Sequence, residues 1–224
     1  MRRLVILRPE PGARATADAA RAMGLKTIAM PLFTIEPVEW EAPEANGFDG
    51  LLLTSANAVR QAGAPLTALR GLPAYAVGEA TAEAARDTGF DIASRGEAGV
   101  ERLLGSIGGD LRLLHLCGEH RTAVEAKQAI TAVPVYRSAE LPPPAGLARI
   151  AGQVIAVHSP RAGRRLAELA DQAGIERRTV RIAAISAAAA AAAGRGWAAC
   201  EAADSPDERA LLALAARLCN DSGR

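Results

Sequence analysis

The stretch FDGLLLTSANAVRQAG, residues 48–63, decides how this chain folds. A run of leucines stops abruptly at Thr54-Ser55-Ala56-Asn57, and the apolar pattern then resumes with a different period. A short, continuously apolar run fits a strand buried on both faces. The longer period that follows fits a helix. The same arrangement recurs at AGQVIAVHSPRAGRRLAELA, residues 151–170, where the apolar run ends at His158-Ser159-Pro160.

The recurrence extends along the chain. YAVGEATAEAARDTGF (75–90) aligns with IAAISAAAAAAAGRGW (182–197), and LVILRPEPGARATADAA at the start aligns with LLHLCGEHRTAVEAKQA, placing Arg14 over Arg121. AMPLF aligns with AVPVY, placing Phe33 over Tyr136. The period is about 105 residues and occurs twice, which describes a duplication rather than a solenoid. Eight apolar runs read as strands: LVILR, GLLLTS, PAYAVG, DIAS, LRLLHLC, VIAVHS, RIAAIS and AACEAA. Helical stretches lie between them. Ser205-Pro206-Asp207-Glu208 has the form of a capping box. Leu211, Leu212, Ala215, Leu218 and Cys219 form the apolar stripe that follows, matched by Val100, Leu103, Leu104 and Ile107 in the first half. Strand–helix alternation predicts parallel sheets covered on both faces.

Two Pro-rich segments break the pattern, MPLFTIEPVEWEAP (30–43) and VPVYRSAELPPP (133–144). Proline argues against a central helix or a mid-sheet strand there. With these as connections, each lobe borrows its first βα unit. Residues 1–32 then pack with 140–224, residues 40–132 form the other lobe, and 33–39 and 133–139 are linker strands forming a hinge.

Composition narrows the function. The chain has 224 residues, half of them apolar, with 26 basic and 25 acidic side chains and a net charge of +1. Such a balance argues against a nucleic-acid partner but allows a small anion held by a few donors. Three Phe, two Trp and two Tyr leave the core to Ala, Leu, Val and Ile. Cys117, Cys200 and Cys219 are too few and too scattered for a disulfide scaffold, so a reducing cytoplasm is expected. The apolar run after MRR is broken by Arg8 and Pro9 and is too short for a signal peptide. No run approaches a membrane span, and AAISAAAAAAAG (183–194) reads as a strand end followed by a helix.

In open parallel sheets, ligands bind beyond the carboxyl ends of the strands, where helix N-termini present free N–H groups. TSAN and HSPR are such turns. Ser55 and Ser159 either cap their helices or donate to a ligand, and their pairing at equivalent places favours a cleft between the lobes. In VGEATAEAA, Gly78 ends a strand and Thr81 lies in the first helical turn, without a phosphate-loop motif. HLCGEHR offers His115, Cys117 and His120 but no spacing that completes a tetrahedral set, so no metal is expected. A strand end with a turn at Gly118 and a helix opened by Arg121 is the simpler account. No nucleophile elbow is present. Tyr136 lies in a Pro-bounded segment and is either an aromatic plug or a hydroxyl turned into the cleft.

These pieces, in their order, spacing and duplication, make the chain resemble the uroporphyrinogen-III synthase family over essentially its whole length. The carriers are LRPEPGA, FDGLLLTSANAV, AYAVGEATAEAARDTGF, LLHLCGEHR, VPVYRS, VIAVHSPRAG and AADSPDERALLALA. The resemblance implies two similar flavodoxin-like α/β/α lobes with parallel sheets, joined by a two-stranded linker with the first βα unit swapped. It implies a lyase of porphyrin, tetrapyrrole and heme biosynthesis that cyclises hydroxymethylbilane to uroporphyrinogen III. Ring D is inverted through a spiro intermediate and water is lost. It further implies no cofactor, a cytoplasmic monomer, and at most a transient contact with hydroxymethylbilane synthase. Tyr136 falls on the family's tyrosine and is assigned to helping the hydroxyl depart. Ser55, Thr81 and Ser159 fall on its strand-end substrate contacts, Thr54, Gly78 and Ser186 are further candidate contacts at those turns, and Arg8 is a candidate carboxylate partner. The sequence departs from the family at Ser186, which stands where a Gly is common and is followed by Ala in place of Thr. The alternative is a non-enzymatic two-lobed protein binding a small anion.

Overall fold

The computed structural model describes residues 1–96, 99–120 and 124–221; Arg121, read above as the start of a helix, lies outside them. The first elements are β1 (Leu4–Ile6), α1 (Gly12–Ala22), β2 (Thr27–Ala29) and β3 (Phe33–Pro37). Then come β4 (Gly50–Leu53), α2 (Ala56–Gln61), β5 (Ala74–Val77), α3 (Glu79–Asp87), β6 (Ile92–Gly96) and α4 (Val100–Gly105). β7 (Arg112–Gly118) and β8 (Ala129–Glu140) follow, and then β9 (Val154–Val157), α5 (Pro160–Gln172), β10 (Arg181–Ala184), α6 (Ala187–Ala193), β11 (Ala199–Ala202) and α7 (Glu208–Asn220). Each of the eight apolar runs contains a strand.

The chain divides into two units, Met1–Thr34 with Glu140–Arg224, and Ile35–Ala139. The first holds a five-stranded sheet in the order β11-β10-β9-β1-β2, with every pairing parallel. Parallel neighbours need crossovers, and the helices that make them cover both faces. Along β9, Ile155 and Val157 face a core built with α5 and α6, while Val154 and Ala156 face one built with α1 and α7. The two-residue alternation persists although all four side chains are buried.

The second sheet runs β3-β8-β7-β4-β5-β6. Leu51 and Leu53 of β4 pack towards α2 and α3, and Leu52 packs towards α4. At the amino end of the sheet, Arg112 holds Asp49 with two side-chain hydrogen bonds of 2.9 and 3.1 Å. Those bonds, with a third from the Arg112 backbone, lower the Asp49 carboxyl to about 2.

Two expectations fail for identifiable reasons. Proline does not keep β8 out of the sheet interior, because β8 is flanked by both β7 and β3 and contains Pro134. The ladder tolerates it by shifting register one step later, between Cys117 and Gly118. The capping box at 205–208 does not form either. Asp207, not Ser205, is the N-cap of α7 and accepts from Ala210 N at 2.9 Å, leaving Glu208 free to turn elsewhere.

Helix α6 is seven alanines capped by Ser186. Its small side chains let α5 approach closely. A Cβ at Gly163 of α5 would lie 2.8 Å from the Ala189 carbonyl oxygen and 3.0 Å from the Ala193 nitrogen. Alanine improves an open helix by about 1 kcal/mol over glycine, whereas overpacking against backbone costs about 1–3 kcal/mol. Gly163→Ala is therefore expected to lower the urea midpoint of unfolding. A raised midpoint would show that α5 and α6 separate without penalty.

Candidate active site

In the first sheet the strand order reverses between β1 and β9, the place where open α/β sheets form a crevice beyond their carboxyl ends. β1 runs on into Leu7 and Arg8, β9 into His158 and Ser159, and the neighbouring β10 into Ser186. Ser159 and Ser186 are both extended N-caps. Ser159 Oγ accepts from Ala162 N at 3.1 Å, and Ser186 Oγ accepts from Ala189 N at 3.3 Å. A serine hydroxyl has two acceptor sites and one donor proton. Capping uses an acceptor and leaves the O–H proton for an incoming oxygen, so the two readings of these residues are compatible.

Arg8 lies against the start of α1, where a Cβ at Gly12 would stand 2.5 Å from its Nε. Its Nη1 is 3.1 Å from Glu208 Oε2 and 3.3 Å from Thr16 Oγ1, and Thr16 Oγ1 donates to Glu208 Oε1 at 2.5 Å. His158 Nε2 stands 3.4 Å from the same Glu208 Oε2, with 9 % of its side chain exposed. At that separation neither ring nitrogen makes an aligned hydrogen bond among the described residues. Burial pushes the Glu208 carboxyl up. The His158 imidazole, the Thr16 hydroxyl and the Arg8 guanidinium pull it down and prevail, leaving it below the usual carboxylate range. Arg8 thus meets any external carboxylate with an internal one already on it.

In the second unit, β4 and β7 are adjacent and parallel. Thr54 Oγ1, just past β4, shares a 2.9 Å hydrogen bond with Nε2 of His115 on β7. His115 is 4 % exposed, and this bond accounts for a buried imidazole that the sequence offered to a metal. Ser55 caps α2, its Oγ accepting from Asn57 N at 3.2 Å. Gly78 heads α3 with φ of 82°, a left-handed backbone that suits glycine, whereas its counterpart Ser186 is extended at φ of −154°. The departure at Ser186 therefore changes the device at that turn: the first half caps with bare backbone, the second with a side-chain oxygen. Thr81 is 5 % exposed within α3. Tyr136, on β8, is paired with Gly118 at the carboxyl end of β7, and its half-buried ring packs beside that glycine.

The structure therefore brings Arg8, Ser159 and Ser186 to one rim of the first sheet. It brings Thr54, Ser55, Gly78 and Tyr136 to the corresponding rim of the second, with Thr81 buried just behind. Sequence reasoning missed Thr16, His115, His158, Glu208 and Gly118 as members of these rims. His158 was legible as a polar residue at a strand end. Glu208 was masked by its resemblance to a capping residue.

A family model described as uroporphyrinogen-III synthase HemD matches residues 14–213. The chain belongs to the uroporphyrinogen-III synthase family. It is a cyclising lyase that acts on hydroxymethylbilane in porphyrin and heme biosynthesis, and this membership favours the enzyme over a two-lobed anion-binding protein. Among solved structures, uroporphyrinogen-III synthetase from Helicobacter pylori 26695 is 18 % identical, with 97 % of this chain and 100 % of that chain covered and a TM-score of 0.65. A mutant uroporphyrinogen III synthase from the extremely thermophilic bacterium Thermus thermophilus is 16 % identical, covering 97 % and 99 %, with a TM-score of 0.52. At such identities the likeness speaks for the mixed α/β fold with parallel sheets. No curated protein matches the chain. No helix among the described residues is long and apolar enough to cross a membrane.

The Glu208 contacts make a pH prediction for this synthase. A carboxyl held below its unfolded value stabilises the fold above the unfolded pKa, and that contribution disappears as pH falls through the folded one. Glu208→Gln should cost about 1 kcal/mol at pH 7, allowing for partial exposure. The gap to the parent protein should close below about pH 4. Urea unfolding across that range checks it, and a gap independent of pH would contradict it.

Proposed function

We propose that the carboxyl-end rims of both sheets hold the carboxylates of hydroxymethylbilane and fold the chain for closure with ring D inverted. The single observation carrying this reading is the series of capped strand-to-helix turns: Ser55 and Gly78 on one sheet, Ser159 and Ser186 on the other. First-turn N–H groups and the unspent hydroxyl protons suit carboxylate oxygens. Arg8 adds a guanidinium whose remaining N–H groups reach a carboxylate once Glu208 shares it. Thr54 and Thr81 complete the contacts of the second unit.

Tyr136 is the catalytic residue in this reading. The hydroxymethyl C–O bond breaks as the pyrrole nitrogen lone pair pushes towards it, and the Tyr136 phenol gives its proton to the departing oxygen, which leaves as water. The phenolate regains the proton released when the ring D pyrrole becomes aromatic again after closure. Ring D then closes through a spiro intermediate. Positioning supplies most of the catalysis, since spontaneous closure of the extended bilane takes the simpler, non-inverted course. In the same proposal the lobes are duplicates, 1–32 with 140–224 and 40–132, with the first βα unit exchanged and 33–39 and 133–139 linking them. The enzyme acts as a monomer in the cytoplasm, where Cys117, Cys200 and Cys219 remain free thiols, and meets hydroxymethylbilane synthase only transiently.

Isomer analysis of the product tests the reading. The parent enzyme should yield uroporphyrinogen III, and Tyr136→Phe should turn over about tenfold more slowly with its fold intact. An unchanged rate and isomer ratio in that variant would remove Tyr136 from the mechanism.

A further inference from the structure

Tyr136 occupies its position because of a defect in the sheet. The β7–β8 ladder runs regularly from Arg112 opposite Ala129 to Cys117 opposite Pro134, and then jumps so that Gly118 faces Tyr136 and Val135 is skipped. Pro134 has no N–H to give to either neighbouring strand. Past the jump the ladder resumes, with Glu119 N donating to Tyr136 O at 3.0 Å, while on the other side Val38 N donates to Val135 O at 3.1 Å. An extra residue in one strand turns every later side chain relative to its neighbours. Consecutive residues of a regular strand point to opposite faces, yet Val135 and Tyr136 both pack against the core of Leu51, Leu53, Leu114 and Leu116. The bulge re-aims the tyrosine onto the end of β7.

What it meets there is the main chain of Gly118. A Cβ at that residue would stand 2.9 Å from Tyr136 Cζ, 3.0 Å from Cε2 and 3.1 Å from the hydroxyl oxygen. The phenol lies in the space a side chain would fill. Gly118 is absent from the residues with left-handed backbone, so alanine brings no dihedral strain there. The clash is with the far end of a side chain that can move. Alanine at 118 therefore displaces the ring without breaking the sheet.

We propose that Gly118, with the Pro134 bulge, is the positioning residue for the Tyr136 hydroxyl; this rests on the reading of Tyr136 as the group that assists hydroxyl departure. A displacement of about 1 Å is felt in the rate when catalysis depends on alignment. The bulk of substrate binding, carried by other turns, is untouched.

The chain has two tyrosines, Tyr75 and Tyr136. Labelling with 3-fluorotyrosine thus gives two fluorine resonances, assigned by the loss of one in Tyr136→Phe. Gly118→Ala should shift the Tyr136 resonance, leave that of Tyr75 in place and leave the melting transition unchanged. Its kcat should fall about tenfold or more with KM nearly unchanged, and the Gly118→Ala/Tyr136→Phe double variant should be no slower than Tyr136→Phe alone. Parent-like kcat in Gly118→Ala, beside a slow Tyr136→Phe, would overturn the positioning role alone. Losses that multiply in the double variant would do the same. Parent-like kcat in Tyr136→Phe would instead overturn the reading of Tyr136 and the positioning role with it, while the fluorine shift still reported the seat.

Discussion

Parallel pairing of strands buried on both faces is the constraint on which the rest depends. Strands such as Leu51–Leu53 and Val154–Val157 have no polar face to offer water. Helices must cover both sides, and a parallel neighbour can be reached only through such a helix. Within each sheet the parallel strands then end on one rim, and an α-helix follows seven of the eleven described strands. A surface dense in N–H donors is therefore a by-product of the topology, before any side chain is chosen for function.

Side chains refine that surface by sparing use of their hydrogen-bonding capacity. Ser55, Ser159 and Ser186 each stabilise a helix start by accepting one N–H and keep a proton to give away. Arg8 shows the opposite economy: Glu208, Thr16 and Gly12 fix its position, and Glu208 neutralises it. In the proposed reading a cation held this way is ready in place and shares itself with an incoming carboxylate. Such shared contacts suit a polyanion that has to bind, change shape and leave.

The fold was legible wherever local pattern and burial agree. The eight apolar runs, the stripe from Leu211 to Cys219 and the helix after AAIS could be read because each depends on residues within a turn or two of one another. The candidate site was legible at strand ends, where Ser, Thr and Gly announce a turn, and at Tyr136, which stood out in a Pro-bounded segment. What escaped depends on contacts distant in sequence. Glu208 reaches Arg8 across 200 residues, and nothing near Asp207 shows that the cap moves two residues along, from Ser205 to Asp207, and releases it. Pro134 was read as excluding a mid-sheet strand because the compensating register shift depends on β7, a strand whose pairing the local sequence does not reveal. Gly118 looked like a turn for the same reason: its function is to leave room for Tyr136, and empty space has no sequence signature.

Amide hydrogen exchange with and without bound uroporphyrinogen III shows whether the carboxyl-end rims grip the tetrapyrrole as proposed. Exchange should slow at the first-turn amides following Ser55, Gly78, Ser159 and Ser186, and remain unaltered at the amino ends of the sheets around Arg3 and Arg112. Protection at the amino ends, with those four turns unchanged, would contradict the account.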